Sequence, residues 1–119
     1  MDRLVVKCTV GAEAAERCNQ AFTVAATALS SGASVSLWLT GEAAWLGLPG
    51  RAADVDLPHA APLADLLASV LDAGTVTVCS QCALRRAIGS DDVLPGVRMA
   101  GSASFVEEIL RPGTQALVY

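Results

Sequence analysis

Short runs of strand-forming residues alternate with stretches of helical period along this 119-residue chain, and that rhythm limits its fold more than any other feature. Leu4 to Val10 is a largely apolar run, as expected of a strand covered on both faces, and Gly11 breaks it. Between about Ala12 and Ser31, the residues Ala15, Cys18, Phe22, Ala25 and Leu29 recur at spacings of three and four. That spacing predicts a helix with one buried stripe, with Glu13 and Glu16 near its positive end and Gly32 as its stop. From Ala33 to Thr40 the period falls to two, with Ala33, Val35, Leu37 and Leu39 on one face of a strand and Ser34, Ser36 and Trp38 on the other.

The region from Gly41 to Pro62 is the least regular, with glycines and prolines as breakers and room for a short helix over Glu42 to Leu46. A connection this long is usually functional or mobile. Pro62 suits the first turn of the next helix, whose apolar face is Leu63, Leu66, Leu67, Val70 and Leu71. Thr75 to Val78 is a third strand and Val97 to Ala100 a fourth. Gly101 and Ser102 lead into a helix through Leu110, where Ser104 and Glu107 are spaced as a capping box. Arg111, Pro112 and Gly113 end it, and a last strand runs from Thr114 to Tyr119. Strands that alternate with helices pair in parallel through crossovers. The predicted fold is a single three-layer α/β/α domain over residues 1–119, with a mostly parallel five-stranded sheet, flavodoxin-like in class. Strand order does not follow from the pattern.

The residues are 53% hydrophobic but only 4% aromatic, so Ala, Val and Leu must build the core. A net charge of −4 without a Lys/Arg cluster argues against direct nucleic-acid binding. No apolar run approaches the roughly 20 residues that span a bilayer, and Met1 to Lys7 turns polar too early for a signal peptide. The expected location is the cytoplasm, with no membrane partner. There, the four cysteines point to catalysis, metal binding or simple burial in preference to a disulfide framework.

Chemistry concentrates in Thr75 to Gly89, where a β-branched strand runs into Cys79 and Cys82, spaced C-x-x-C, and then into a helix carrying Arg85 and Arg86. Ser80 is available as N-cap, which puts Cys79 at the strand's carboxyl end and Cys82 in the first helical turn. In parallel sheets that rim is where ligands bind. A helix start or a nearby cation lowers a thiol pKa from about 8.5 and exposes the reactive thiolate. Arg85 and Arg86 are the expected cations, Cys79 the reactive thiol and Cys82 a second thiol able to resolve a mixed disulfide or persulfide. Against this stands the plainer reading that both are small buried hydrophobes.

A structural zinc site needs four ligands, usually two such pairs; Cys8, Cys18 and His59 supply no second pair, so no metal is expected. Thioredoxin chemistry also uses C-x-x-C, but after an early strand and opposite a cis-proline loop, which this chain does not signal. Cys8 shares the rim of Cys79, yet core packing is the better expectation; Cys18 belongs to the helix stripe. His59, the only histidine, is either an acid or base above the thiol or a solvated loop residue. Trp45 either closes a lid over the site or anchors the loop. The glycines form no phosphate-binding pattern, and no cofactor is expected.

From Cys79 to Ile88 the segment CSQCALRRAI resembles the DsrE/TusD (DsrEFH-like) family of small sulfur-handling proteins, whose members carry a cysteine at this strand end. In TusD-like members an Ala-Leu-Arg-Arg-Gly segment follows at similar spacing; Ala83, Leu84, Arg85 and Arg86 match it, and Ala87 stands where glycine is common. The resemblance implies an intracellular sulfur relay of sulfurtransferase type. Cys79 would accept sulfur as a persulfide and pass it on, with Arg85 and Arg86 favouring the anions. It also implies trimers or hexamers, with small sulfur-carrier proteins or persulfide donors as partners. Cys82 is extra relative to TusD-like members. It leaves open a thiol–disulfide redox module, and a non-catalytic oligomeric member of the family is the third alternative.

Overall fold

Strand β1 (Arg3–Cys8) lies inside a sheet whose order is β4-β3-β2-β1-β5, formed with β2 (Ser34–Leu39), β3 (Thr75–Cys79), β4 (Arg98–Ala100) and β5 (Thr114–Val118). The computed structural model describes residues 2–119, and every strand pairing among them is parallel. Helices α1 (Ala15–Ser30), α2 (Leu63–Ala73), α3 (Ser80–Arg85) and α4 (Ser102–Ile109) make the crossovers. The chain thus winds outward from β1 to β4, and α4 carries it back across the sheet to place β5 on the far side of β1.

Strand alternation explains the two layers. Val6 pairs with Leu37, and Leu37 with Val76, so the three share one face. That face forms the main core with Cys18, Ala21, Phe22 and Ala25 of α1 and with Leu63, Leu67 and Val70 of α2. Phe22 is fully buried, and truncating such a ring to alanine costs about 3–5 kcal/mol. The opposite face carries Val5, Lys7, Ser36, Trp38, Thr77 and Cys79 and receives α4. Phe105 of α4 meets Trp38 edge-on at 5.3 Å between ring centroids, a pairing worth about 0.5–1.5 kcal/mol beyond its area.

The expected α/β class holds, and several local details differ. The first helix opens with one tight turn at Ala12–Ala14 before α1 proper begins. Pro62 caps α2 instead of occupying its first turn. The region after β2 holds two tight helical turns, Gly41–Gly47 and Ala52–Asp54, where one short helix was expected. Ser104 does not cap α4: Gly101 does, and Ser104 lies inside the helix with its N–H bonded to the Gly101 carbonyl. The chain enters α4 straight from β4, and this close strand-to-helix turn leaves no room for a cap three residues later.

Candidate functional site around Cys79

Cys79 is the last residue of β3 and itself caps α3, so the sequence expectation of Ser80 as N-cap is off by one. Thr75 to Val78 keep the strand extended, and the turn into α3 comes at Cys79, whose ψ of 123° still belongs to the strand. The sulfur projects from the α4 face of the sheet, beside Ala100 of β4, and the residue is only 9% exposed. Gly101 packs close by, since a Cβ placed on it would sit 3.4 Å from Ser80 Oγ. The thiol therefore lies in a narrow notch between two strand-to-helix junctions.

Burial raises the Cys79 pKa, but it is outweighed. The backbone N–H groups of Cys82 and Gln81 and the Cys82 thiol favour the anion, and the Lys7 ammonium adds to them, so the pKa falls below its ordinary value of 9.0. The charge felt by the sulfur is thus Lys7, which reaches across from β1 and also lies over the Phe105 ring at 4.7 Å. Strand alternation in β1 was the available signal, because Lys7 shares a face with Val5, Trp38 and Cys79.

The two arginines occupy other places. Arg86 pairs with Glu42, with Nη2 at 2.8 Å and Nε at 2.9 Å from Glu42 Oε2, and donates from Nη1 to the Cys82 carbonyl at 3.1 Å. It ties α3 to the tight turn after β2. Arg85 is exposed. Cys82 is half-buried, and its sulfur accepts the Gly41 N–H at 3.2 Å, a second tie to the same turn. Gly41 is required there: its φ is +54°, and a Cβ would meet the Thr9 carbonyl oxygen at 2.7 Å.

Trp45 is half-buried against the core, with the Arg51 guanidinium 4.5 Å above its ring, and it stands on the tight turn after β2. His59 is exposed in the long loop at φ +59° and lines a surface groove with Asn19, Thr23 and Tyr119, in which neither C-x-x-C thiol takes part. Cys8 and Cys18 are both fully buried. Cys8 donates to the Val10 carbonyl at 3.2 Å, while Cys8 as hydrogen-bond partner and burial push the Cys18 thiol up, so Cys18 keeps its proton. Among the described residues, no three His, Cys, Asp or Glu side chains gather as a metal-sized cluster.

Sequence reasoning missed a polar network on the same sheet face. Glu108 of α4 is buried, accepting from Ser36 Oγ at 2.6 Å and Trp38 Nε1 at 3.4 Å and pairing with Arg98 at 2.5 Å. Arg98 also donates to Thr77 Oγ1 at 2.8 Å. The signal was the run Ser34, Ser36 with Thr75, Thr77, whose hydroxyls need partners on a face that a short helix covers.

The fold has close counterparts among solved structures. The crystal structure of the ychN protein from E. coli superposes with a TM-score of 0.81 at 17% identity, with all of both chains covered. A protein of unknown function, MTH1491 from Methanobacterium thermoautotrophicum, superposes at 0.69 with 13% identity, again over the full length of both. At such identities these likenesses speak for the fold alone. No curated protein matches the chain. The family model described as DsrE/DsrF-like matches residues 2–118, and the chain belongs to the DsrE/DsrF-like family.

Proposed function

We propose that the protein is a persulfide carrier that receives and passes on sulfur at Cys79. The observation that carries this reading is the thiol itself: at a strand's carboxyl end, with a pKa lowered by the first turn of α3 and by Lys7. Family membership supports a sulfur-relay role. In the first step the Cys79 thiolate attacks the terminal sulfur of a donor persulfide. The donor's S–S bond breaks, the donor leaves as thiolate with the bonding electron pair, and Cys79 becomes a persulfide. An acceptor thiolate then attacks that terminal sulfur, and Cys79 leaves as thiolate, so no net oxidation occurs. Lys7 and the N–H groups of Gln81 and Cys82 favour each anion in turn. The partners are small sulfur-carrier proteins in a reducing compartment such as the cytoplasm, and no helix among the described residues is long and apolar enough to cross a membrane. Exposed Val106 on α4, Leu110 at its C-cap and Val118 on β5 support self-association.

The test is intact mass after exposure to a persulfide donor. One added sulfur atom is expected on wild type and on Cys82→Ser, and none on Cys79→Ser. A second reading rests on the neighbouring thiols of Cys79 and Cys82. The pair would form a disulfide, giving two electrons and two protons to a small-molecule disulfide that is reduced to two thiols. A reversible two-electron potential lost in Cys82→Ser would favour it.

A further inference from the structure

On the α4 face, at the amino ends of the strands, a cleft of about 250 Å³ lies between Arg3, Ser34, Thr75, Arg98, Glu108 and Arg111. Arg3, Ser34 and Thr75 open or lie at the start of β1, β2 and β3, whereas Cys79 closes β3. Four strand residues separate the levels, about 13 Å, so the cleft is distinct from the thiol notch. Its volume falls below the roughly 300–1,000 Å³ of pockets that take drug-sized ligands.

The charge inside is unequal. Three guanidinium groups line the cleft against one carboxylate, and that carboxylate is already engaged by Arg98, Ser36 and Trp38. Arg98 and Glu108 thus offset each other. Arg3 makes no ion pair among the described residues. Arg111 reaches only Glu107, at 3.6 Å and with both side chains largely in solvent, a pairing too weak to compete with a bound anion. Two guanidiniums without a strong acidic partner, those of Arg3 and Arg111, therefore line the same small cleft as the Ser34 and Thr75 hydroxyls.

We propose that this cleft binds a small tetrahedral oxyanion of phosphate or sulfate type. Arg3 and Arg111 supply forked charged donors from β1 and from the end of α4, and the two hydroxyls supply the remaining donors. Arg98 also lines the cleft, held in place by Glu108 and Thr77. The approach of donors from several elements suits a tetrahedral anion better than a flat carboxylate.

Isothermal titration of the full chain with inorganic phosphate and with sulfate, at ionic strength held constant with chloride, tests this directly. Saturable one-site binding is expected, weakened at least tenfold in Arg3→Gln and in Arg111→Gln. Both side chains are partly exposed, so each variant should keep the wild-type circular dichroism and melting profile. Malonate at the same ionic strength should bind more weakly than either tetrahedral anion. Absence of saturable binding up to tens of millimolar, or binding unchanged in both variants, overturns the proposal. Equal or tighter malonate binding overturns the assignment to a tetrahedral anion.

Discussion

Replacing Ala87 with glycine should stabilise the protein. Helix α3 ends in two linked hydrogen bonds, Ile88 N–H to the Ala83 carbonyl at 2.9 Å and Ala87 N–H to the Leu84 carbonyl at 3.2 Å. That pattern requires a left-handed residue at Ala87, and its φ is +54°. An L-residue with a Cβ pays about 1–2 kcal/mol in this region. Glycine removes that cost but loses about 0.4–1 kcal/mol through the greater freedom of its unfolded chain. The net expectation is a gain of about 0.5–1 kcal/mol, or a few degrees in Tm for a chain of this size. Urea unfolding should show a higher midpoint with an unchanged slope. Ala87→Val, with a β-branched side chain in the same conformation, should move the midpoint the other way. An unchanged or lowered midpoint for Ala87→Gly would refute the strained-turn reasoning, and with it the description of how α3 ends behind Cys79.

Lys7→Gln should shift the pH profile of Cys79 alkylation upward while leaving the fold intact, because it removes the cation acting on the sulfur; an unmoved profile would remove Lys7 from the site. Burial pushes the Glu108 carboxyl up, yet hydrogen bonds from Ser36, Arg98 and Trp38, with the Arg98 charge, hold it below its ordinary 4.5. The stability it contributes is therefore full above the unfolded value and is lost as pH falls through the lower folded one. Glu108→Gln should cost about 1–3 kcal/mol at neutral pH, and chemical unfolding from pH 7 down to below pH 4.5 should show that difference shrinking. Gly41→Ala should destabilise by about 2 kcal/mol or more, since the left-handed φ and the 2.7 Å approach to Thr9 add, and it should speed Cys82 alkylation by displacing the Gly41 N–H.

Much of this architecture is legible in the residue pattern because burial enforces it. Period-two alternation in Val35, Leu37 and Leu39 and the helical stripe of Cys18, Phe22 and Ala25 describe the main core, and the structure buries all six. The C-x-x-C at a strand-to-helix junction was equally readable. The order of strands was not, because nothing local says that α4 returns across the sheet to set β5 beside β1. For the same reason the local pattern points to the neighbouring arginines as the cation beside Cys79. Lys7 lies 72 positions away in sequence, two strands across, and only the register of the sheet brings it near. Arg86 found a closer carboxylate in Glu42, 44 positions upstream. The Glu108 network escaped because a charged residue on a short helix ordinarily faces water, whereas here the hydroxyl-rich sheet face beneath offers it partners.

The central claim is that Cys79 carries the transferable sulfur. Intact mass spectrometry of wild type, Cys79→Ser and Cys82→Ser after incubation with a persulfide donor bears on it most directly. The account predicts one added sulfur, removable by an acceptor thiol, on wild type and Cys82→Ser and none on Cys79→Ser. An adduct that survives in Cys79→Ser, or its absence from wild type, would contradict it.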